Sequence, residues 1–165
     1  MIDPIQLADK GARLTGELPL KGMRRLVEAC WDEQGLVSVD LHFARETSDD
    51  LRVMRGRITA QVRFTCQRCM GELAVELLTE PRLLLLRPGE REDLIEDDDV
   101  LIIEQSITLG QLVEDELLLE VPMVPMHPVA QCPAQPLITE PQAEKKEAAG
   151  TNPFAVLEQL KRRDR

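Results

Sequence analysis

The chain reads as an α+β protein: an antiparallel, meander-rich sheet of about six strands, open or curled towards a barrel, with two or three helices and a flexible C-terminal tail. Three observations predict this class. Apolar residues alternate with a period of two in several successive stretches separated by turn residues. These stretches form a run ahead of the best-marked helix, rather than alternating with helices as βαβ units do. A C-x₂-C pair, Cys66 and Cys69, closes one such stretch and is followed by Gly71, as at the tip of a hairpin. With 165 residues and a hydrophobic content of 43%, the chain suits one domain with a tail. The expected divisions are a domain over 1–132, a disordered linker over 133–151 and a basic-ended amphipathic tail helix over 152–165.

Leu14, Gly16, Leu18 and Leu20 give the first short strand. Lys21 to Asp32 has helical spacing, with Met23, Leu26, Val27 and Cys30 on one stripe, which makes Cys30 a small core residue. Val37, Val39, Leu41 and Phe43 then alternate strictly, and His42 falls on the opposite, solvent-facing side of that strand. Thr47 to Asp50 is a turn. Ile58, Ala60, Val62 and Phe64 line one face of the following long strand, and Gly56 marks a bulge that corrects the phase from Val53. Leu73, Val75 and Leu77 return the hairpin, and Leu83 to Leu86 either continues the sheet or starts another strand after Pro81. Glu90 to Asp99, with seven carboxylates and one arginine, is a solvated loop, and Val100 to Ile103 a short buried strand.

Thr108 and Gln111 have the spacing of a capping box, Ile107 and Leu112 that of a hydrophobic staple, and Pro122 stops the helix they start. On a helical wheel Glu116 shares a side with Leu109, Leu112 and Val113. Either it is a buried, paired or proton-retaining acid, or it lies at the rim and reaches water; the rim is the expectation. Residues 133–151 are rich in Pro, Gln, Glu, Ala and Lys, as linkers are. Asn152 and Pro153 then start a helix with the stripe Phe154, Leu157 and Leu160 and the basic end Lys161, Arg162, Arg163 and Arg165. Such a helix is marginal alone in water, so it either docks on a partner or folds back on its own domain.

The net charge of −10 is uneven. Residues 1–70 carry 11 basic and 10 acidic groups, residues 71–150 carry 5 and 18, and residues 151–165 carry 4 and 2. The acidic middle repels phosphate, which argues for a basic protein partner or a contact confined to one end. Three Phe, one Trp and no Tyr disfavour a reader that stacks bases on rings. No apolar run approaches the roughly 18 residues of a membrane span, and the opening Met1-Ile2-Asp3-Pro4 lacks the pattern of a signal peptide, so a cytoplasmic protein with reduced thiols is expected.

Beyond Cys66 and Cys69, and separated from Cys69 by 57 residues, come His127 and then Cys132, a second close pair of candidate ligands. Sulfur and imidazole in this number suit a tetrahedral zinc site at Cys66, Cys69, His127 and Cys132. Free structural thiols are the alternative. A redox pair would require a cysteine at a helix N-terminus in a βαβ setting, whereas this motif ends a strand. No Ser/His/Asp set, phosphate-cradling glycine loop or zincin motif is present, so no catalytic residues are assigned and the chain is expected not to be an enzyme.

Three segments together resemble the YceD-type bacterial large ribosomal RNA subunit accumulation proteins. They are Phe64 to Cys69, the block Leu112-Val113-Glu114-Asp115-Glu116-Leu117-Leu118-Leu119-Glu120-Val121-Pro122-Met123-Val124-Pro125-Met126-His127, and Asn152 to Arg162. The resemblance implies a cytoplasmic, non-catalytic role in the synthesis, processing or stability of large-subunit ribosomal RNA. Many relatives carry more cysteines after the helix, where this chain has His127 and Cys132. The expected partners are that RNA or its precursor, reached directly or through a ribosomal protein or assembly factor. Candidate contact residues are Glu114, Asp115 and Glu116 for a basic protein, with Phe154, Leu157, Leu160, Lys161, Arg162 and Arg163 on the tail. The competing reading is a zinc-stabilised protein that binds precursor RNA through Arg52, Arg55, Arg57, Arg63 and Arg68; a metal-dependent nuclease using the 90–99 carboxylates is a more distant one.

Overall fold

In a computed structural model, which describes residues 1–46, 50–90 and 99–134, the alternating stretches become six strands of one sheet. They are β1 (Arg13–Pro19), β2 (Leu36–Arg45), β3 (Arg52–Thr65), β4 (Glu72–Thr79), β5 (Arg82–Leu86) and β6 (Val100–Ile102). Three helices accompany them: α1 (Pro4–Asp9), α2 (Arg24–Ala29) and α3 (Leu109–Leu119). The sheet order is β1-β2-β3-β5-β6, with β4 also paired to β3, and the sheet does not close into a barrel. All pairings are antiparallel except β5 with β6. Met1–Cys132 forms one compact unit. The expected tail helix, the linker beyond Ala134, most of the Thr47–Asp50 turn and residues 91–98 of the acidic loop lie outside the described residues.

The 14-residue strand β3 is the spine of the sheet. One of its edges pairs with β2 in an unbroken register from Val37↔Ala60 to Arg45↔Arg52. The other edge holds β4 at one end (Ile58↔Thr79) and β5 at the other (Arg55↔Arg82). These two registers are continuous with each other, so β4 and β5 are one edge strand interrupted at Glu80 and Pro81. Proline has no N–H to give to a ladder. Its carbonyl nevertheless accepts from the N–H of Gly56 at 3.2 Å.

The unbroken β2–β3 register also corrects the expected bulge at Gly56. Glycine is required there by closeness instead: a Cβ at Gly56 would lie 2.0 Å from the Asp40 carbonyl oxygen. Val53, out of phase with the inner-face residues, is buried on the outer face opposite Leu84 of β5.

The inner face carries Leu41, Phe43, Met54, Ile58, Val62 and Phe64, all buried. Ile5 and Ala8 of α1, Leu26 of α2, and Leu112, Val113 and Leu117 of α3 complete the same core. The helix over 4–9 is absent from the sequence expectation, yet its signal is local. Asp3 caps it by accepting from the N–H of Ile5 (3.0 Å) and Gln6 (3.2 Å), and Pro4 sits in its first turn. The helix expected over 21–32 shortens to α2, preceded by a 3₁₀ turn at Leu20–Gly22. No side chain of its own caps α2. Glu114 of α3 does so, its Oε1 accepting from the N–H of Arg25 (2.7 Å) and Leu26 (3.2 Å). The α3 capping box between Thr108 and Gln111 forms as the spacing predicts. In contrast, β6 is a partly exposed edge rather than a buried strand, with Ile102 46% accessible.

Candidate metal centre

Where β3 ends, the hairpin loop is closed by two backbone bonds. The N–H of Cys66 donates to the Gly71 carbonyl at 2.8 Å, and the N–H of Met70 to the Cys66 carbonyl at 2.9 Å. The sharp bend is taken by Met70, whose φ of 57° lies in the left-handed region that side chains disfavour. Gly71 is not the left-handed residue; its N–H is directed at the Cys69 sulfur.

The chain returns to this tip after α3. Pro125 accepts from the N–H of Gln67 at 2.8 Å, fixing the 123–128 segment beside the loop. A 3₁₀ turn at Val129–Gln131 then delivers Cys132, which is buried. Cys66, Cys69, His127 and Cys132 converge so that one ligand atom from each lies within 4.8 Å of the others. A tetrahedral zinc with bonds of about 2.0–2.3 Å needs ligand atoms roughly 3.5–3.8 Å apart. The Cys69 sulfur and His127 Nδ1 already stand at 3.5 Å. Small side-chain rotations bring the remaining atoms to that spacing, so the donor set fits zinc in number, chemistry and reach.

Hydrogen bonding selects the tautomer that a metal needs. His127 Nε2 lies 3.0 Å from the Glu72 carbonyl oxygen, which only accepts, so the proton resides on Nε2. Nδ1 therefore turns its lone pair towards the thiols, and the carbonyl orients the ring as outer partners of metal-bound histidines do. The backbone of His127 contributes separately, donating its N–H to the Cys66 sulfur at 3.5 Å.

The two thiols of the hairpin are electrostatically unequal. Burial pushes the Cys66 thiol up, but the N–H groups of Cys69, His127 and Arg68 and the Cys69 thiol outweigh it, and its pKa falls to about 5. Cys69 is raised: the Gly71 N–H favours its thiolate, but burial and the neighbouring Cys66 and Cys132 sulfurs prevail. One thiolate is thus stabilised by the fold, and a dication would stabilise the others. Cys66 has no accessible surface, which leaves a thiol-exchange reagent no approach to its sulfur. Cys30 stands apart at the C-terminal end of α2, half-buried, its thiol raised by burial and by Asp32.

Other expected contact residues are dispersed. Glu114 is 6% accessible and belongs to the fold's interior, bound to the α2 backbone and the Arg25 guanidinium. Glu116, expected at the rim, is 9% accessible, and burial together with Asp115, Asp99 and Glu120 raises its pKa. Asp115 is exposed and paired with Arg25. Phe154, Leu157, Leu160, Lys161, Arg162 and Arg163 lie outside the described residues. The five arginines do not form one surface. Arg52 is on the inner side with Asp9 and Glu90, Arg63 pairs with Asp32 and Glu72, and Arg68 lies over Met126 at the hairpin tip. Only Arg55 and Arg57 share a cleft, on the outer face of the sheet.

Sequence reading singles out the four candidate ligands because their chemistry is in their identity. It misses the carbonyls of Glu72 and Pro125, since any residue type supplies a carbonyl. Among the described residues no helix is long and apolar enough to cross a membrane. Residues 54–161 match the family model described as Large ribosomal RNA subunit accumulation protein YceD. The chain is also similar to the large ribosomal RNA subunit accumulation protein YceD of Haemophilus influenzae, with 29% identity over 98% of this chain and 95% of that protein. No solved structure matches.

Proposed function

The chain belongs to the YceD family of large ribosomal RNA subunit accumulation proteins, and on that premise we propose that it is a non-catalytic cytoplasmic factor sustaining large-subunit ribosomal RNA, its shape locked by a structural zinc. The observation supporting a structural metal is the complete donor set. Four protein ligands fill a tetrahedron and leave no open position, whereas catalytic zinc keeps one for water or substrate. Cys66 and Cys69 hold the hairpin tip, while His127 and Cys132 hold the segment that follows α3. Bound zinc would supply the positive charge that neutralises the thiolates and ties two segments distant in sequence.

In this reading the protein acts by binding RNA, a ribosomal protein, or both. The 18 carboxylates against five basic groups in residues 71–150 suit a basic ribosomal protein, and the tail from Phe154 to Arg163 suits RNA or a second factor. The direct test is a strain lacking the gene. The ratio of large- to small-subunit ribosomal RNA falls and a wild-type copy restores it; an unchanged ratio overturns the assignment. Protein purified without chelator carries about one equivalent of zinc, and less than about a tenth of an equivalent overturns the metal.

A further inference from the structure

Four basic side chains lie in one row across the outer face of the sheet. Arg13 of β1 is the register partner of His42 in β2, His42 of Arg55 in β3, and Arg55 of Arg82 in β5. Register partners in antiparallel strands project on the same side, so the row crosses four strands, a span of about 14 Å at ordinary strand spacing. Like charges directly opposite one another oppose pairing. Arg55 and Arg82 are such a pair, and their placement is therefore not explained by the stability of the sheet.

The row borders a cleft of about 540 Å³ that also receives Arg57. Asp40 and Glu80 are the carboxylates on its walls, so four arginines face two acids in a chain whose net charge is −10. Asp40 binds Arg13 through two bonds of 2.8 and 2.7 Å, Glu80 binds Arg57, and Glu46, from outside the cleft lining, pairs with Arg82 at 3.3 Å. Arg55, at the middle of the row, is exposed and has no carboxylate partner among the described residues. Its guanidinium keeps its full charge and its fork of donors for an external anion. At the cleft floor Gly56 has no side chain, and Pro81 interrupts the edge strand, so the surface is shallow and open. No Phe, Tyr or Trp lines it, so the arginines rather than large stacking rings supply the affinity.

We propose that this row is a phosphate-binding track for single-stranded ribosomal RNA, gripping the backbone without reading its sequence. The assignment rests on the ribosomal RNA role above, and it places the RNA contact on the described domain through a row that shares only Arg55 with the arginine set expected from sequence. Arg13, His42 and Arg82 enter the surface only because of register. Arg55 makes the central contact and its ion-paired neighbours are shared between their acids and the phosphates.

The test measures binding of the full-length protein to a fluorescent single-stranded fragment of large-subunit ribosomal RNA over a salt series. Arg55→Glu weakens binding about tenfold and reduces the slope of log affinity against log salt by about one to two. Lys21→Glu, an equal charge change at an exposed site off the row, changes affinity less than about twofold on the same phosphate-contact argument. Because Arg55→Glu also replaces repulsion of its register partner Arg82 with attraction, the variant unfolds at an equal or higher temperature, which separates lost binding from lost folding. Equal weakening by both substitutions overturns the proposal, as does wild-type binding of polyglutamate as tight as that of RNA. In the deletion strain, Arg55→Glu fails to restore the ribosomal RNA ratio where wild type succeeds. If that variant also succeeds, the track is wrong while the ribosomal RNA role stands; if the deletion has no effect, the role itself is wrong.

Discussion

Glu116 and Gly56 show how single positions carry opposite kinds of constraint. The Glu116 carboxyl retains its proton more firmly in the fold than in the unfolded chain, because burial and the nearby Asp115, Asp99 and Glu120 disfavour its charge. The folded state therefore binds more protons than the unfolded one just above the ordinary value of 4.5, and stability declines as pH rises from there through the raised value. Glu116→Gln removes that decline. At pH 7 it stabilises the fold, and below pH 4 the gain vanishes. Paired denaturant titrations at the two pH values check this; an equal gain at both contradicts the titration of Glu116. At Gly56 the constraint is steric. The 2.0 Å approach of a Cβ to the Asp40 carbonyl forces two central strands apart, so Gly56→Ala destabilises by about 2–3 kcal/mol, read as a lower urea midpoint with an unchanged slope.

At the level of elements, helix boundaries record how far the sequence alone reaches. The α3 start is legible because Thr108 and Gln111 satisfy each other within one turn. The strands are legible because their period is local, and the C-x₂-C hairpin because its turn and flanking alternation adjoin. The α2 start is not legible, since its cap comes from another helix. Nor is the row of Arg13, His42, Arg55 and Arg82, since parity along a strand does not reveal which residues become neighbours across it. The candidate metal ligands are legible as a set, while their convergence depends on the Gln67–Pro125 bond between distant segments. Removing the borrowed cap tests the element directly. Glu114→Ala leaves the N–H groups of Arg25 and Leu26 buried without their acceptor and destabilises by about 2 kcal/mol. Asp115→Ala removes only a solvent-exposed pair and costs less than about 0.5 kcal/mol. Equal losses in urea unfolding would refute the distinction.

For the whole molecule, the sheet and the helices on its inner face build a core without help from the candidate metal, which lies at one hairpin tip. The same architecture separates three surfaces: the thiol cluster at the tip, the acid-lined α3 on the inner layer, and the basic track outside. The borrowed cap has a consequence for the order of events during synthesis. The Arg25 N–H meets its acceptor on Glu114, 89 residues further along the chain. A six-residue helix lacks the length to persist by itself, so α2 does not form as it leaves the ribosome. It waits until α3 has emerged, and the tip cluster waits longer still, for Cys132. A nascent chain halted before Glu114 therefore presents its N-terminal strands with their inner face uncovered, a natural client for a holding chaperone.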